Sequence, residues 1–232
     1  MGKDEREEEF DMSMNVAIDG PAGAGKSTIA KRVAERLGYV FVDTGAMYRA
    51  MALYFLNKKI DASDAGAIGK ACEDIDISIA YEEGQQKVFL NGEDVTGRIR
   101  EEKVGNMASV TSAYGCVREK LVALQRQLAA RTDVIMDGRD IGTCVLPDAQ
   151  VKIYLTASVA VRAKRRYQEL EKKGETCRLE EIEQDIRARD ERDMNREISP
   201  LRQAEDAILV DSSDMTIDQV VARIVALCEV ER

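Results

Sequence analysis

An octapeptide close to the amino terminus constrains the fold of this chain more than any other feature of its sequence. Residues 20–27 read Gly-Pro-Ala-Gly-Ala-Gly-Lys-Ser and match the Gly-x-x-x-x-Gly-Lys-Ser/Thr pattern at every fixed position. An apolar run at residues 16–18 precedes the octapeptide, and an amphipathic helical pattern at residues 26–37 follows it. Because this pattern operates as a turn between a strand and a helix, it predicts an α/β fold that binds a nucleoside triphosphate.

Each fixed residue of the octapeptide has a physical task. Glycines let backbone N–H groups turn towards phosphate oxygens, and the helix that begins near Lys26 directs its positive end at the same anion. Lys26 would reach the β- and γ-phosphates, and the Ser27 hydroxyl would ligate Mg²⁺. A GTPase would also need Asn-Lys-x-Asp, but the nearest string, Asn-Lys-Lys-Ile at residues 57–60, lacks the Asp.

Five apolar runs of strand length alternate with helical patterns along the chain. The runs lie at residues 16–18, 39–42, 134–136, 151–155 and 208–210. Helices are predicted over residues 26–37, 116–131 and 158–172, and from the capping-box residue Thr216 onwards. Continuous apolar runs are typical of strands buried on both faces of a parallel sheet. The pattern predicts a five-stranded parallel sheet with flanking helices, of the P-loop NTPase type.

Residues 72–112 interrupt this alternation. Residues 75–79 alternate with period two, and residues 87–90 lead into Asn91-Gly92, a strong hairpin-turn pair. We expect a small antiparallel β subdomain inserted into a core formed by residues 14–71 and 113–232, and we expect it to serve substrate recognition. Residues 1–13 are predicted to be a disordered acidic tail, with Met12 and Met14 as alternative starts.

Composition excludes several classes of function. The net charge of −9 argues against a protein that binds nucleic acid or anionic membranes through an overall basic face. The absence of histidine removes Ser-His-Asp triads and His-ligated metals. Five scattered cysteines favour reduced thiols in a cytoplasmic protein, and no apolar run approaches the length of a membrane span.

Arginine supplies a second set of cations. Arg49 follows the second predicted strand, Arg139 follows the third, and Arg189, Arg192 and Arg196 share one helical face. Phosphoryl transfer between two polyanions needs such cations, because the protein contributes mainly positioning and charge stabilisation. The same helical charges also fit ordinary solvated surface pairs, and Asp137 fits either a carboxylate near a metal or a simple turn former.

The motifs together resemble those of the bacterial cytidylate kinases, a group of nucleoside monophosphate kinases. The resemblance runs from about Asn15 to Val225 and rests on four marks. They are the phosphate loop, Asp-Thr-Gly-Ala-Met-Tyr-Arg at residues 43–49, Asp-Gly-Arg-Asp-Ile-Gly-Thr at 137–143, and Arg-Asp-Glu-Arg-Asp at 189–193 with Ser-Pro-Leu at 199–201. The resemblance implies transfer of a phosphoryl group from ATP to CMP and dCMP. Independently of it, we expect a cytoplasmic protein without nucleic-acid or membrane partners, and by default a monomer.

The resemblance also implies roles for individual residues. Thr44, where the family often has serine, Arg49 and Arg139 would hold the monophosphate or its surroundings. Ser109, Arg118 and Asp140 would read cytosine, and Arg189, Asp193 and Arg196 would contact sugar and phosphates. Lys26, Arg139, Arg165 and Arg189 would be catalytic. Mg²⁺ would be held by Ser27 and, through water, by Asp137.

The donor nucleotide is expected to bind the phosphate loop and a lid. The loop residues are Gly20, Pro21, Ala22, Gly23, Ala24, Gly25, Lys26, Ser27 and Thr28. The lid and the helix after it would span residues 158–196 and present Arg162, Arg165 and Arg166 to ATP. The alternatives are a kinase for UMP, AMP or a small metabolite on the same scaffold, an NTP-dependent switch or nucleic-acid ATPase, and a non-catalytic binding module.

Overall fold

The computed structural model describes residues 13–231, so residues 1–12 of the predicted acidic tail lie outside the described residues. Ser13, the last residue assigned to that tail, already contacts the fold, since its Oγ donates to the carbonyl of Ala129 at 2.7 Å. The strands are β1 (Asn15–Asp19), β2 (Val40–Asp43), β3 (Ile77–Glu82), β4 (Gln85–Leu90), β5 (Glu93–Asp94), β6 (Val134–Gly138), β7 (Val151–Thr156) and β8 (Ile208–Asp211). The α-helices are α1 (Lys26–Leu37), α2 (Thr44–Asn57), α3 (Ala65–Glu73), α4 (Glu102–Thr111), α5 (Gly115–Ala129), α6 (Val159–Lys172), α7 (Leu179–Asn195) and α8 (Ile217–Val230).

The main sheet has five strands in the order β2-β6-β1-β7-β8, and every neighbouring pair is parallel. The predicted sheet is therefore confirmed, as is the α1 helix over residues 26–37. Because β1 is the central strand, the octapeptide that follows it lies in the middle of the carboxyl edge of the sheet. Ligands bind at that edge in open α/β sheets.

Both faces of the sheet are covered, which explains the uninterrupted apolar runs. Val16 and Ile18 of β1 pack with α1 and α8 on one face, whereas Ala17 between them packs with α2 and α5 on the other. Successive side chains of a strand point to opposite faces, so a strand between two helical layers has no polar side.

The second sheet is antiparallel, in the order β3-β4-β5, and lies within the predicted insert. Asn91 and Gly92 form the tight turn between β4 and β5, both with positive φ. The insert docks against β2: the side chain of Gln86 accepts from Asp43 N at 2.9 Å and donates to Asp43 O at 3.2 Å. The insert also contains α4, and one face of this helix lies near the edge of the main sheet.

Helices α6 and α7 form a small unit with its own apolar cluster of Ala163, Leu170, Ile182 and Ile186. Ser158, where the predicted helix over residues 158–172 begins, caps α6 through its hydroxyl. Thr216 and Gln219 form the predicted capping box of α8. All five cysteines are free thiols.

No helix within residues 13–231 has the length and apolar character required to cross a bilayer.

Candidate active site

A cleft of about 400 Å³ opens at the carboxyl edge of the main sheet, directly above β1 and β6. Its walls come from elements far apart in the chain: the phosphate loop, the start of α2, helices α4, α5 and α7, and the segment after β6. One cleft thus holds the phosphate loop together with most of the arginines that the sequence analysis selected.

The phosphate loop owes its shape to glycine. A Cβ at Gly20 would stand 1.9 Å from the carbonyl oxygen of Leu155, so no side chain fits where the loop crosses β7. Gly25 occupies the N-cap of α1 in the left-handed region, at φ 88°, and no side chain caps the helix. The first N–H groups of α1 therefore remain available to an anion, which the helix dipole also favours.

Lys26 is a buried ammonium group inside this loop. Its Nζ donates to the carbonyl of Pro21 at 2.9 Å. Burial, and then the positive charge of Arg139, hold the pKa of Lys26 well below its ordinary value, against the opposing effect of the Asp137 and Asp19 carboxylates. A phosphate bound to the loop would place a negative charge beside the Lys26 ammonium group and so stabilise its charged form.

Ser27 and Asp137 form an oxygen pair next to Lys26. Ser27 Oγ donates to Asp137 Oδ2 at 2.6 Å, and the other carboxylate oxygen is buried without a partner. Burial, with the nearby charge of Asp43, raises the pKa of Asp137 to about 7. A hydroxyl beside a carboxylate with a free oxygen is the donor set that Mg²⁺ prefers, so these residues fit the ion.

Three arginines of the cleft are paired with carboxylates. Asp140 accepts from both Arg118 and Arg196, and Asp193 accepts from Arg139 Nε at 2.9 Å. Arg118 also donates to the hydroxyl of Tyr48 at 3.2 Å. Because these partners fix the guanidinium planes, this wall of the cleft is a rigid polar surface.

Arg49 and Arg189 differ, because neither makes an ion pair or hydrogen bond with any residue in the described part of the chain. Burial lowers the pKa of Arg49 and lowers that of Arg189 to about 10, and neighbouring arginines add to both effects, against the opposing charges of Asp43 and Asp193. The Nε of Arg189 is buried without a partner among residues 13–231. Two desolvated, unpaired guanidinium groups facing one cleft make a strong site for an anion.

Two further buried polar side chains in the cleft have atoms without a partner. They are the hydroxyl of Ser109 on α4 and both amide atoms of Gln125 on α5. Buried polar groups are nearly always hydrogen-bonded in proteins, so such a concentration marks a place where a polar ligand binds.

Some of the selected residues lie outside the cleft. Arg162 is buried behind the loop, where it binds both oxygens of Asp190 and donates to the carbonyl of Ala22 at 2.9 Å. Arg165 donates to Ser212 at the end of β8, and Arg166 pairs with Glu169 on the surface. The three lid arginines are therefore not brought together around the phosphate loop.

Thr44 lines the cleft, but its hydroxyl donates to the carbonyl of Asp137 at 2.6 Å. That bond fixes the start of α2 against the end of β6. It also uses the only proton with which the Thr44 side chain would bind a phosphate oxygen.

Gln125, Tyr48 and Asp19 contribute to the cleft or its support and were not predicted from the sequence as site residues. Asp19 is buried and accepts from the N–H groups of Ile141 and Gly142, both at 2.8 Å, which fixes the π-helical turn of residues 141–145, and burial raises its pKa to about 6. A signal existed for Gln125, since it interrupts the apolar stripe of α5. Tyr48 gave none beyond its place in the motif of residues 43–49.

Comparison with known proteins gives one family. The family model described as "Cytidylate kinase" matches residues 16–230. The chain is 52% identical over 216 residues to the cytidylate kinase of Lactobacillus johnsonii, a match that covers 93% of this chain and 94% of that protein. It is 46% identical over 220 residues to the cytidylate kinase of Bacillus subtilis, covering 95% and 98%.

Among solved structures, an uncharacterized protein from Eubacterium ventriosum superposes with a TM-score of 0.51 at 14% identity. The match covers 94% of this chain and 99% of that one. At that level of identity the likeness concerns the fold alone.

Proposed function

The chain belongs to the cytidylate kinase family, and from this premise we propose that it transfers the γ-phosphoryl group of ATP to CMP, giving CDP. One observation carries the proposal: the phosphate loop with Lys26 and the Arg118–Asp140 pair line the same cleft. A triphosphate on the loop and a nucleotide whose base reaches Asp140 would meet end to end. That is the arrangement that phosphoryl transfer requires.

The donor side is the phosphate loop. The backbone N–H groups of residues 23–27 would hold the triphosphate, and Lys26 would neutralise charge on the transferring group. Ser27 and Asp137 would hold Mg²⁺, which supplies further charge neutralisation when it is bound. Arg162 would act by supporting the loop from behind, since it binds the Ala22 carbonyl and Asp190.

The acceptor side reads the base and the sugar. Asp140 already accepts from two arginines, yet a carboxylate has about four lone-pair sites, so two remain for the exocyclic amine of cytosine. Arg118 offers donors to O2 and N3, and Ser109 has a free hydroxyl. Asp193 has a second oxygen for ribose hydroxyl groups. Because no base contact depends on the 2′-hydroxyl, we propose dCMP as a second substrate.

The monophosphate would be bound by the two unpaired arginines, Arg49 and Arg189, with Arg139 between them and the loop. Thr44 would position the strand end rather than bind phosphate, since its proton is committed to Asp137 O. The attacking atom is already a phosphate oxyanion, so the reaction needs no general base. A chain without histidine can therefore perform it.

The α6–α7 unit is proposed to act as the lid. Arg165 and Arg166 would reach ATP only after that unit has moved, because they now contact Ser212 and Glu169. Closure would exclude water and so protect ATP from hydrolysis. We also propose that the enzyme is cytoplasmic, which its five free thiols support, and that it is a monomer.

The proposed function is tested by a coupled assay of ADP release with CMP, dCMP, UMP and AMP in parallel. The expected result is the highest kcat/KM for CMP and dCMP, with little ADP release when no monophosphate is present. Faster turnover with UMP or AMP would assign a different acceptor. ADP release that needs RNA or DNA instead would assign a nucleic-acid ATPase.

A further inference from the structure

Gln125 is a buried polar residue that has no role in the proposed function. Its side chain is 0% exposed, it lines the cleft, and neither its amide oxygen nor its amide nitrogen has a partner within residues 13–231. Leaving both ends of a buried amide unpaired is unfavourable. A residue kept in that condition on the wall of a cleft points to a ligand that supplies the missing partners.

The position of Gln125 on α5 relates it to the residues proposed to read the base. It follows Arg118 on α5 by about two helical turns, so the two side chains lie on the same face of the helix. Arg118 binds Asp140, the proposed reader of the cytosine amine. The next residue, Arg126, donates to the carbonyls of Val145 and Cys144 at 2.9 and 2.8 Å, which fixes this part of the helix.

We infer that Gln125 binds the pyrimidine base of the acceptor nucleotide; the inference rests on the proposed function. A pyrimidine edge carries both donors and acceptors, and the Gln125 amide offers one group of each kind. Rotation of the amide by half a turn exchanges these groups, so Gln125 matches cytosine and uracil equally well. Gln125 therefore contributes affinity for the base, whereas the acceptor-only carboxylate of Asp140 selects cytosine.

The test compares Gln125→Met with Gln127→Met. Methionine keeps the length and approximate shape of glutamine but removes the amide. Gln127 lies on the exposed side of the same helix and is the matched control. Steady-state kinetics would give KM for CMP, UMP and ATP, and thermal unfolding of the proteins without and with CMP would give Tm.

In Gln125→Met we expect KM for CMP and for UMP to rise together by about ten-fold, the factor that corresponds to one lost hydrogen bond on a buried group. KM for ATP should stay the same. The Tm without nucleotide should be unchanged or higher, because two unpaired buried polar atoms are removed, and the rise in Tm on adding CMP should shrink. Gln127→Met should match the wild-type protein throughout.

Three results would overturn the inference. They are a KM for CMP close to that of the wild-type protein, a change in the CMP/UMP ratio with no common rise, and a fall in nucleotide-free Tm accompanied by a higher KM for ATP. If Gln125→Met did not fold, Gln125→Asn would carry the same test, since it withdraws the amide by one methylene. A wild-type protein inactive towards CMP would instead contradict the proposed function.

Discussion

The two halves of the cleft offer anions two different physical means of binding. The phosphate loop uses backbone N–H groups from consecutive residues, with a single buried lysine among them. The opposite half uses guanidinium groups from α2, α5, α7 and the end of β6, three of them already paired with aspartates. A backbone cradle accepts any polyphosphate, whereas paired side chains present a fixed pattern of donors and acceptors. The phosphate-loop half is therefore suited to polyphosphates in general, and the arginine half is suited to selecting one ligand.

A second difference lies in the cost of desolvation. Lys26 is buried and Arg49 and Arg189 are half-buried, and all three have depressed pKa values without a carboxylate partner at hydrogen-bonding distance in the described residues. Arg118, Arg139 and Arg196 instead form ion pairs with Asp140 and Asp193. Unpaired cations destabilise the nucleotide-free protein and gain most when an anion binds, so we propose that the unpaired set marks the path of the phosphates.

The largest effect is expected from the donor half. Lys26→Ala should lower kcat/KM for CMP by about 10³-fold or more, because charge developing on the transferring group loses its nearest cation. The measurement is the coupled assay, with circular dichroism to show that the fold is kept. Arg36→Ala, on the exposed last turn of α1, is the control. Near-normal phosphorylation of CMP by Lys26→Ala would refute the assigned role of the loop.

Arg189→Met and Arg139→Met compare an unpaired with a paired arginine. Each should lower kcat/KM by about 10²-fold, the usual effect of losing one positioned donor. Only Arg139→Met should also lower the free energy of unfolding, by about 2 kcal/mol, because it leaves the buried Asp193 uncompensated. Urea unfolding without nucleotide measures this difference. Equal stability losses in both variants would break the distinction between the two sets.

Asp140→Asn tests selectivity within the acceptor half. The amide can donate to O4 of uracil where the carboxylate cannot, so the ratio of kcat/KM for CMP over UMP should fall by about ten-fold or more. Asparagine is preferred to alanine because its amide oxygen keeps an acceptor for one of the two arginines, which bind separate oxygens of Asp140. Asp148→Asn, at an exposed position, is the control. An unchanged ratio would assign base reading to another residue.

The smallest effect concerns stability. The pKa of Asp137 is raised from 3.8 to about 7, so the folded protein binds this proton more tightly than the unfolded chain. The contribution of the protonated Asp137 carboxyl to the free energy of unfolding is complete below the ordinary pKa of 3.8. It is lost as the pH rises through about 7. Nucleotide-free Asp137→Asn should therefore be more stable than the wild-type protein by about 2 kcal/mol at pH 8, after loss of the Ser27 hydrogen bond.

That advantage should shrink as pH falls and vanish by about pH 3, below the ordinary Asp pKa of 3.8, where Asp137 is protonated in both states. Asp19, whose pKa is also raised, is present in both proteins and cancels from the comparison. A stability difference that does not change with pH would show that the Asp137 carboxyl does not titrate in this range.

Much of this molecule follows from local sequence. The octapeptide, Gly38, Ser158 and Thr216 each act within a few residues, so the loop and the helix boundaries were predictable from physical rules for turns and caps. The strands were predictable because burial on both faces leaves no polar position. The turn at Asn91-Gly92 has the same local character, since both residues adopt positive φ.

Only the tertiary structure decided which charges are paired and which face the cleft. Arg162, Arg165 and Arg166 look alike in sequence, yet Arg162 is buried against Asp190 behind the phosphate loop, whereas Arg165 binds Ser212 and Arg166 binds Glu169. Gln125 and Arg49 likewise owe their importance to the absence of partners within residues 13–231, and pairing is a property of distances between segments far apart in the chain. The sequence determines the position of an arginine along a helix, but the packing of the helices determines whether a carboxylate lies close enough to form an ion pair with it.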